Sequence, residues 1–159
     1  MNEPIPNLAA VDDVVTLFET VVEATPPLWA AERAFHLLGE DSGRLQDQPK
    51  NERFFRQFDV IFSGETETGE SYLPLERAGH ILIMVGYLGS VKSRRLRKII
   101  RQDEEQIAKY LLRPNIESVS NRPFAWEIVP GLQSEELGED GAATIIIMTY
   151  KVEYVCAEV

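Results

Sequence analysis

The sequence has 159 residues, of which 44% are hydrophobic and 26% are charged, so it can bury the core of one ordinary domain and is not globally disordered. Its 16 Lys and Arg residues against 26 Asp and Glu residues leave a net charge of −10, the opposite of what a dedicated DNA-binding domain carries. The single cysteine, Cys156, excludes an intrachain disulfide framework and a cysteine-rich zinc site.

The first predicted elements are helical. Apolar residues recur at helical spacing between residues 11 and 22, and the proline pair at 26–27 ends that helix. We expect residues 1–10 to form an N-terminal arm. A partial apolar face predicts a second, short helix over Leu28–Leu38, and the polar composition of residues 39–51 predicts a connecting loop.

Two strands joined by an acidic segment come next. Alternating apolar residues over 54–62 predict a half-buried strand, and the near-continuous apolar run over 79–89 predicts a central strand covered on both faces. Residues 63–78 are predicted to form an extended acidic hairpin or loop. Its carboxylates lack the spacing of a calcium loop, so we expect them in a solvated segment that reaches a neighbouring protein or a lumen. They are Glu65, Glu67 and Glu70.

The second half of the chain predicts one more helix and two more strands. Apolar residues at helical spacing predict a helix over 93–113, and strands are predicted over 123–129 and 144–155, with an acidic loop at 132–142 between them. This order of elements describes an α+β protein with an antiparallel sheet of about four main strands and two or three helices packed on it. We expect a single domain over residues 1–159.

No arrangement of side chains predicts catalysis. The two histidines, His36 and His80, lie near no recognisable nucleophile motif, and the chain has no Gly-rich phosphate loop, HExxH zinc pattern or EF-hand loop. We therefore expect no catalytic, metal-binding or cofactor-binding residues, and a protein that is not an enzyme. The longest apolar run is far shorter than the roughly 20 residues that span a bilayer as a helix, so we expect no membrane association.

The distribution of charge is more informative than the motifs. Residues 92–113 hold eight basic and three acidic residues, a net charge of +5, whereas residues 1–91 carry −9 and residues 114–159 carry −6. Cations at the start of the predicted helix are disfavoured by the helix dipole, so a partner should compensate them. We predict a protein interface, with an acidic surface on a neighbouring copy as one candidate partner and a solvated helix face as the alternative. These cations are Arg94, Arg95, Arg97, Lys98 and Arg101.

One carboxylate interrupts the apolar stripe of the same helix. Asp103 lies three residues after Ile100 and four before Ile107, on the side predicted to face the sheet. A buried carboxylate is costly without partners. We therefore expect Asp103 to have a structural polar role, accepting hydrogen bonds from a loop backbone or from an arginine, unless the helix is rotated enough to leave it at an edge.

This pattern resembles the tail terminator family of long-tailed bacteriophages. The resemblance spans nearly the whole chain, and the order of elements carries most of it. The matching segments after the first helix are ERFFRQFDVIFSG, GHILIMVGYLG, RLRKIIRQDEEQIAKYLL, PFAWEIV and TIIIMTYKVEYV. The family implies an α+β fold and a hexameric ring that caps the tail tube and joins the tail to the head.

The resemblance also implies partners and a location. The partners would be further copies of the chain, the tail tube protein, a head-tail connector or adaptor and, in a contractile tail, the sheath. Genomic DNA would pass through the lumen without specific binding, since carboxylates repel phosphate. The protein would be located in the tail or neck of the virion after assembly in the host cytoplasm.

Three other readings of the sequence stay open. The protein is predicted alternatively as another phage neck or head-completion protein, as a small regulatory module that binds nucleic acid through residues 92–101, or as an enzyme of unrecognised type. Oligomeric state discriminates between the two phage readings and the other two.

Overall fold

The computed structural model describes residues 8–39, 42–67, 76–111, 124–129, 131–138 and 141–155. Within these ranges the chain forms two α-helices, α1 (Leu8–Ala24) and α2 (Arg94–Leu111), and two short 3-10 turns, Leu45–Asp47 and Glu52–Phe54. The strands are β1 (His36–Leu37), β2 (Gln57–Glu67), β3 (Glu76–Leu88), β4 (Phe124–Ile128), β5 (Gln133–Leu137) and β6 (Ala143–Val155).

The strands form one sheet in the order β1-β2-β3-β6-β4, and β5 also pairs with β6. Phe124–Ile128 pairs with the C-terminal part of β6 and Gln133–Leu137 with its N-terminal part. These two segments therefore occupy one edge, and the sheet has five strand positions. β1 runs parallel to β2, whereas the other pairs are antiparallel.

The predicted α+β class is confirmed, but two details of the prediction are wrong. The sheet is mixed rather than purely antiparallel, and it has five strand positions rather than about four. The extra position is the two-residue strand β1, which has no sequence pattern of its own because it is too short. Two backbone hydrogen bonds hold it to β2, from His36 N to the Arg56 carbonyl (3.1 Å) and from Leu38 N to the Phe58 carbonyl (2.8 Å).

Apolar side chains pack on both faces of the central strands. On one face, both helices contribute to the main core, in which Phe18 of α1 and Ile107 of α2 pack with Ile83 of β3. On the other face, the segment that contains the 3-10 turns covers part of the sheet. Its Leu45 and Phe54 pack with a smaller cluster that includes Met84, Ala143 and Ile145. The near-continuous apolar runs of β3 and β6 follow from this double coverage.

The predicted helix over Leu28–Leu38 is wrong. Residues 28–33 form bends and turns instead, and residues 36–37 are β1. The backbone carbonyls of Trp29, Ala30 and Arg33 accept hydrogen bonds from the Arg56 side chain. A helix would direct carbonyls along its own axis, so this distant side chain competes with helix formation.

Several other elements begin or end at residues different from those predicted. The helix α1 begins at Leu8, so the last three residues of the predicted arm 1–10 are helical; residues 1–7 lie outside the described ranges. The predicted acidic loop 132–142 contains β5, which was hidden because its residues are mostly exposed and show no apolar alternation. In the predicted hairpin 63–78, β2 continues to Glu67 and β3 begins at Glu76, and residues 68–75 lie outside the described ranges.

Candidate functional site

A buried arginine organises the region beneath α2. Arg56 is 0% exposed and forms a two-pronged ion pair with Asp103, Nε to Oδ2 and Nη2 to Oδ1, both at 2.9 Å. Its Nη1 donates to the carbonyls of Ala30 (2.6 Å) and Arg33 (2.9 Å), and Nη2 donates to the carbonyl of Trp29 (2.5 Å). All five N–H donors of the guanidinium are therefore used.

The surroundings of Arg56 complete this network. Its guanidinium carbon lies 5.4 Å from the centre of the Phe35 ring and 5.0 Å from that of Phe55, within the range of cation–π attraction. Tyr87 Oη donates to Asp103 Oδ2 at 2.7 Å. The backbone of Arg56 is also unusual for a non-glycine residue, with φ of 63°. The side-chain contacts hold it in this conformation.

Burial dominates the electrostatics of the network. Desolvation raises the pKa of the Asp103 carboxyl, and the hydrogen bonds from Arg56 and Tyr87 oppose that rise. Burial, together with the Asp103 charge, holds the pKa of Tyr87 well above its usual value, so its hydroxyl remains a donor. Asp103 is thus fixed from one side by Arg56 and from another by Tyr87. This fixes the rotation of α2 and ties residues 29–33 to it.

With Asp103 held inward, α2 presents its cations to solvent. The exposed residues are Arg94, Arg95, Arg97, Lys98 and Arg101. The ammonium of Lys98 lies 5.1 Å from the centre of the Trp29 ring, and Arg101 Nε lies 3.6 Å from an exposed Glu105 carboxylate, an ion pair that contributes little. Among the described residues, the other three have no ion-pair partner. The helix therefore carries uncompensated positive charge near its N-terminus.

A groove runs along each side of this basic face. The loop-side groove has a volume of about 370 Å³, and its lining includes Arg33, Phe55, Ser93, Arg95, Leu96 and Ile99. The strand-side groove, of about 320 Å³, lies between α2 and the sheet edge, and its lining includes Arg97, Ile100, Arg101, Leu132, Ser134 and Ile146. Each groove thus combines an apolar floor with a guanidinium wall, and exposed Trp29 and Leu132 lie nearby. Arginine and large apolar side chains together are typical of protein interfaces.

The structure places the predicted site residues in two separate regions. The five cations share the exposed face of α2, and Asp103 lies buried behind them with an arginine partner. Glu65 and Glu67 lie at the end of β2, two strands away from β6, and Glu70 lies outside the described residues. Within one chain Glu65 and Glu67 lie at the opposite end of β2 from Arg56, which pairs with Asp103 of α2.

Sequence reasoning missed two residues of this region. Arg56 reads as one position of an alternating strand, and only the charge of Asp103 on an apolar stripe hinted that a buried cation exists elsewhere. Trp29 falls within the predicted helix over Leu28–Leu38, yet it is 43% exposed and its ring contacts Lys98. Both assignments depend on contacts between residues far apart in the chain.

The N-terminus of α2 has a side-chain cap that can be tested. Ser93 Oγ accepts a hydrogen bond from Leu96 N at 3.3 Å. Replacing Ser93 with alanine is expected to lower the free energy of unfolding by about 0.5–1 kcal/mol, the lower part of the usual range for N-caps because this bond is long. Urea denaturation measures the change. Ser93→Asp should retain the wild-type stability, since a carboxylate also caps and offsets the nearby cations; a loss equal to that of alanine would contradict a capping role.

Comparisons of the sequence with known protein families and with curated proteins find no match. Neither helix in the described ranges has the length and apolarity needed to span a bilayer. The described residues also contain no group of three or more His, Cys, Asp or Glu side chains placed to hold a metal ion. At the level of fold and site, this is an α+β domain that presents an exposed, basic, groove-flanked helix.

Proposed function

We propose that the protein is a structural subunit that assembles as a ring, terminates the tail tube of a long-tailed bacteriophage and joins the tail to the head. One observation carries this proposal: the basic face of α2 is uncompensated within a chain of net charge −10. A neighbouring copy supplies the missing carboxylates. In the proposed head-to-tail contact the basic face of one copy meets acidic residues of the next, and a series of such contacts ends only when a ring closes.

The order of the elements supports the same proposal. An amphipathic helix, two long paired strands, a basic helix and a final long strand follow one another as in the tail terminator resemblance, and the fold is of the α+β class that the family implies. The partners in this proposal are further copies, the tail tube protein, a connector or adaptor and, for a contractile tail, the sheath. The ring is a component of the virion and performs no catalysis.

A nucleic-acid-binding module is the second candidate, because the exposed cations of α2 lie beside an aromatic side chain. The immediate surroundings favour protein instead. Both grooves beside the cations have apolar floors, which include Phe55 and Leu96 on the loop side and Ile100 and Ile146 on the strand side. A phosphate backbone would leave these apolar floors unfilled, whereas a protein partner can cover them.

Electron microscopy of the assembled tail, together with mass photometry of the purified chain, tests the proposal. We expect a hexameric ring at the head-proximal end of the tube. Reversing Arg94, Arg95 and Arg97 to glutamate should prevent ring assembly and leave the monomer folded, because these cations make no ion pair within the described part of their own chain.

A matched control changes the net charge equally at exposed sites away from this region of α2. The control reverses Arg44, Arg53 and Lys109 to glutamate and should still assemble. An assembled particle without the ring contradicts the proposal. Tight, salt-sensitive binding of duplex DNA by the wild type, lost in the α2 triple variant, would favour the nucleic-acid module.

A further inference from the structure

We infer that the loop-side groove of one copy receives the β4–β5 corner of a second copy, with Leu132 as the anchor. This corner consists of Val129, Leu132 and the strand β5 that follows them. The contact deepens the proposed function and rests on it only in taking another copy as the partner. It joins two surfaces that lie on opposite sides of α2 in each chain.

The loop-side groove lies beside exposed apolar side chains. Phe55 and Leu96 are buried and form part of its floor. Leu28 and Trp29, which directly precede the lining residue Ala30, are 59% and 43% exposed. Large apolar side chains that surround a groove next to arginines are typical of the centre of a protein interface. An apolar side chain of a partner is therefore the group that this groove fits.

The β4–β5 corner presents such a side chain on a well-anchored backbone. Leu132 is 41% exposed and Val129 is 36% exposed. Val129 N donates to the Thr149 carbonyl of β6 at 2.9 Å, and Leu132 directly precedes β5, which pairs with β6. Five large apolar side chains are exposed in the described ranges, and four of them belong to these two surfaces; the fifth is Ile61. Because the corner is already ordered, docking it costs little conformational entropy.

The two surfaces carry net charges of opposite sign. On the loop side three cations outnumber two carboxylates, which leaves a net charge of +1. These groups are Arg33, Arg95 and Lys98 against Glu32 and Glu52. On the strand side four carboxylates outnumber two cations, which leaves a net charge of −2. These groups are Glu104, Glu105, Glu135 and Glu136 against Arg97 and Arg101. Electrostatic attraction therefore favours contact between the two unlike surfaces.

The same charges disfavour symmetric contacts. If two loop-side surfaces met, the exposed Arg95 and Lys98 of both copies would approach one another. If two corners met, Glu135 and Glu136 of both copies would do so. Like charges brought together across an interface are unfavourable. Each surface therefore favours the other surface over its own duplicate.

The fold allows one copy to make both contacts at once. In the sheet order β3 separates β2, which begins just after Phe55, from β6, with which β5 pairs. The helix α2 lies between the two surfaces, because one of its sides lines each groove. Each copy can therefore receive one neighbour and dock into another, and a series of such contacts ends when a ring closes.

Cross-linking tests the contact directly. In a chain whose only natural cysteine is replaced (Cys156→Ser), the exposed residues beside the two apolar surfaces are changed to cysteine, Ala31→Cys with Gln133→Cys, and treated with a short bismaleimide. We expect a ladder of covalent oligomers longer than the dimer, because each copy uses a different surface toward each neighbour. Either cysteine alone should give no ladder, and the absence of a ladder from the pair would overturn the inference.

The matched control for the cross-link pairs Gln133→Cys with Ser42→Cys. Ser42 is also exposed, but it belongs to the segment that covers the opposite face of the sheet from α2. This pair should give no ladder. A ladder equal to that of the Ala31 and Gln133 pair would show non-specific collision and would overturn the inference.

Truncation of the anchor provides a second measurement. Leu132→Ala should weaken self-association on the order of tenfold, since the interface buries most of this side chain. Ile61→Ala is the matched control, because Ile61 is 40% exposed but lies on β2, away from both surfaces, and it should leave association unchanged. Mass photometry measures association, and thermal unfolding checks that each variant is folded. Equal association of the two folded variants would overturn the inference.

The two proposals fail in different ways. A ring seen on assembled tails but without the cross-link between positions 31 and 133 overturns the inference and leaves the proposed function in place. A specific ladder from a protein that forms no part of a tail supports the inference and overturns the proposed function.

Discussion

Replacing Arg56 with methionine is expected to lower the free energy of unfolding by about 3–5 kcal/mol, the usual result when one partner of a buried ion pair is removed. Methionine fills much of the volume but supplies none of the five N–H donors. The Asp103 carboxylate would lose two hydrogen bonds, and the carbonyls of Trp29, Ala30 and Arg33 would each lose a donor. Urea denaturation of the purified chain, with linear extrapolation, measures the loss.

The size of this loss should depend on pH. Burial already raises the pKa of Asp103, and removing Arg56 removes the hydrogen bonds and charge that oppose the rise. A carboxyl whose pKa is higher in the folded than in the unfolded chain contributes stability at low pH, and this contribution is lost as pH rises through the folded value. The difference between wild type and Arg56→Met should therefore be smallest in acid and grow toward neutral pH.

The matched control is Arg53→Met, which removes an exposed guanidinium three residues earlier. It should change stability little at any pH, because isolated surface charges contribute little. If Arg56→Met unfolded with the same free energy as this control, the network would not hold the region together. A loss that did not vary with pH would show that removing Arg56 leaves the pKa of Asp103 unchanged.

The elements that could be predicted from the sequence are those whose pattern depends on residues close together in the chain. The helix α2 was predictable because its apolar residues and its buried Asp103 repeat at a local period that needs no other part of the chain. The long strands β3 and β6 were predictable for the same reason, since burial on both faces leaves apolar runs. Their central position in the sheet accounts for that burial.

The rest depended on contacts between distant residues. The segment after Pro27 has enough apolar residues for a helix. However, the guanidinium of Arg56, more than twenty positions later, donates hydrogen bonds to its backbone carbonyls. The strand β5 is an exposed edge, so its polar sequence looks like a loop. Of the candidate site, the cations were visible in the sequence, whereas the grooves on either side required the sheet edge and residues 29–33 to be in place.

Gly86→Ala should destabilise the protein by about 1–3 kcal/mol, the usual range for overpacking a core. A Cβ atom at Gly86 would lie 2.7 Å from the Phe54 carbonyl oxygen and 2.8 Å from its ring, closer than real Cβ atoms approach. Here the chain around the second 3-10 turn crosses β3, and Arg56 N donates to the Gly86 carbonyl at 2.7 Å. A methyl group would push this crossing outward and displace Arg56 from beneath α2.

A Cβ atom at Gly86 would approach both the backbone and the ring of Phe54. A second substitution shows which of these two contacts requires the glycine. Phe54→Leu replaces the ring with a smaller side chain. In the Gly86→Ala background this relieves the contact with the ring but not the contact with the carbonyl oxygen. We expect only partial recovery of the free energy of unfolding, measured by urea denaturation. Gly39→Ala is the control, because it is exposed and its nearest neighbour is the end of a serine side chain at 3.1 Å. Complete recovery by Phe54→Leu would mean that the ring alone requires the glycine, and that the position of Arg56 does not depend on the crossing.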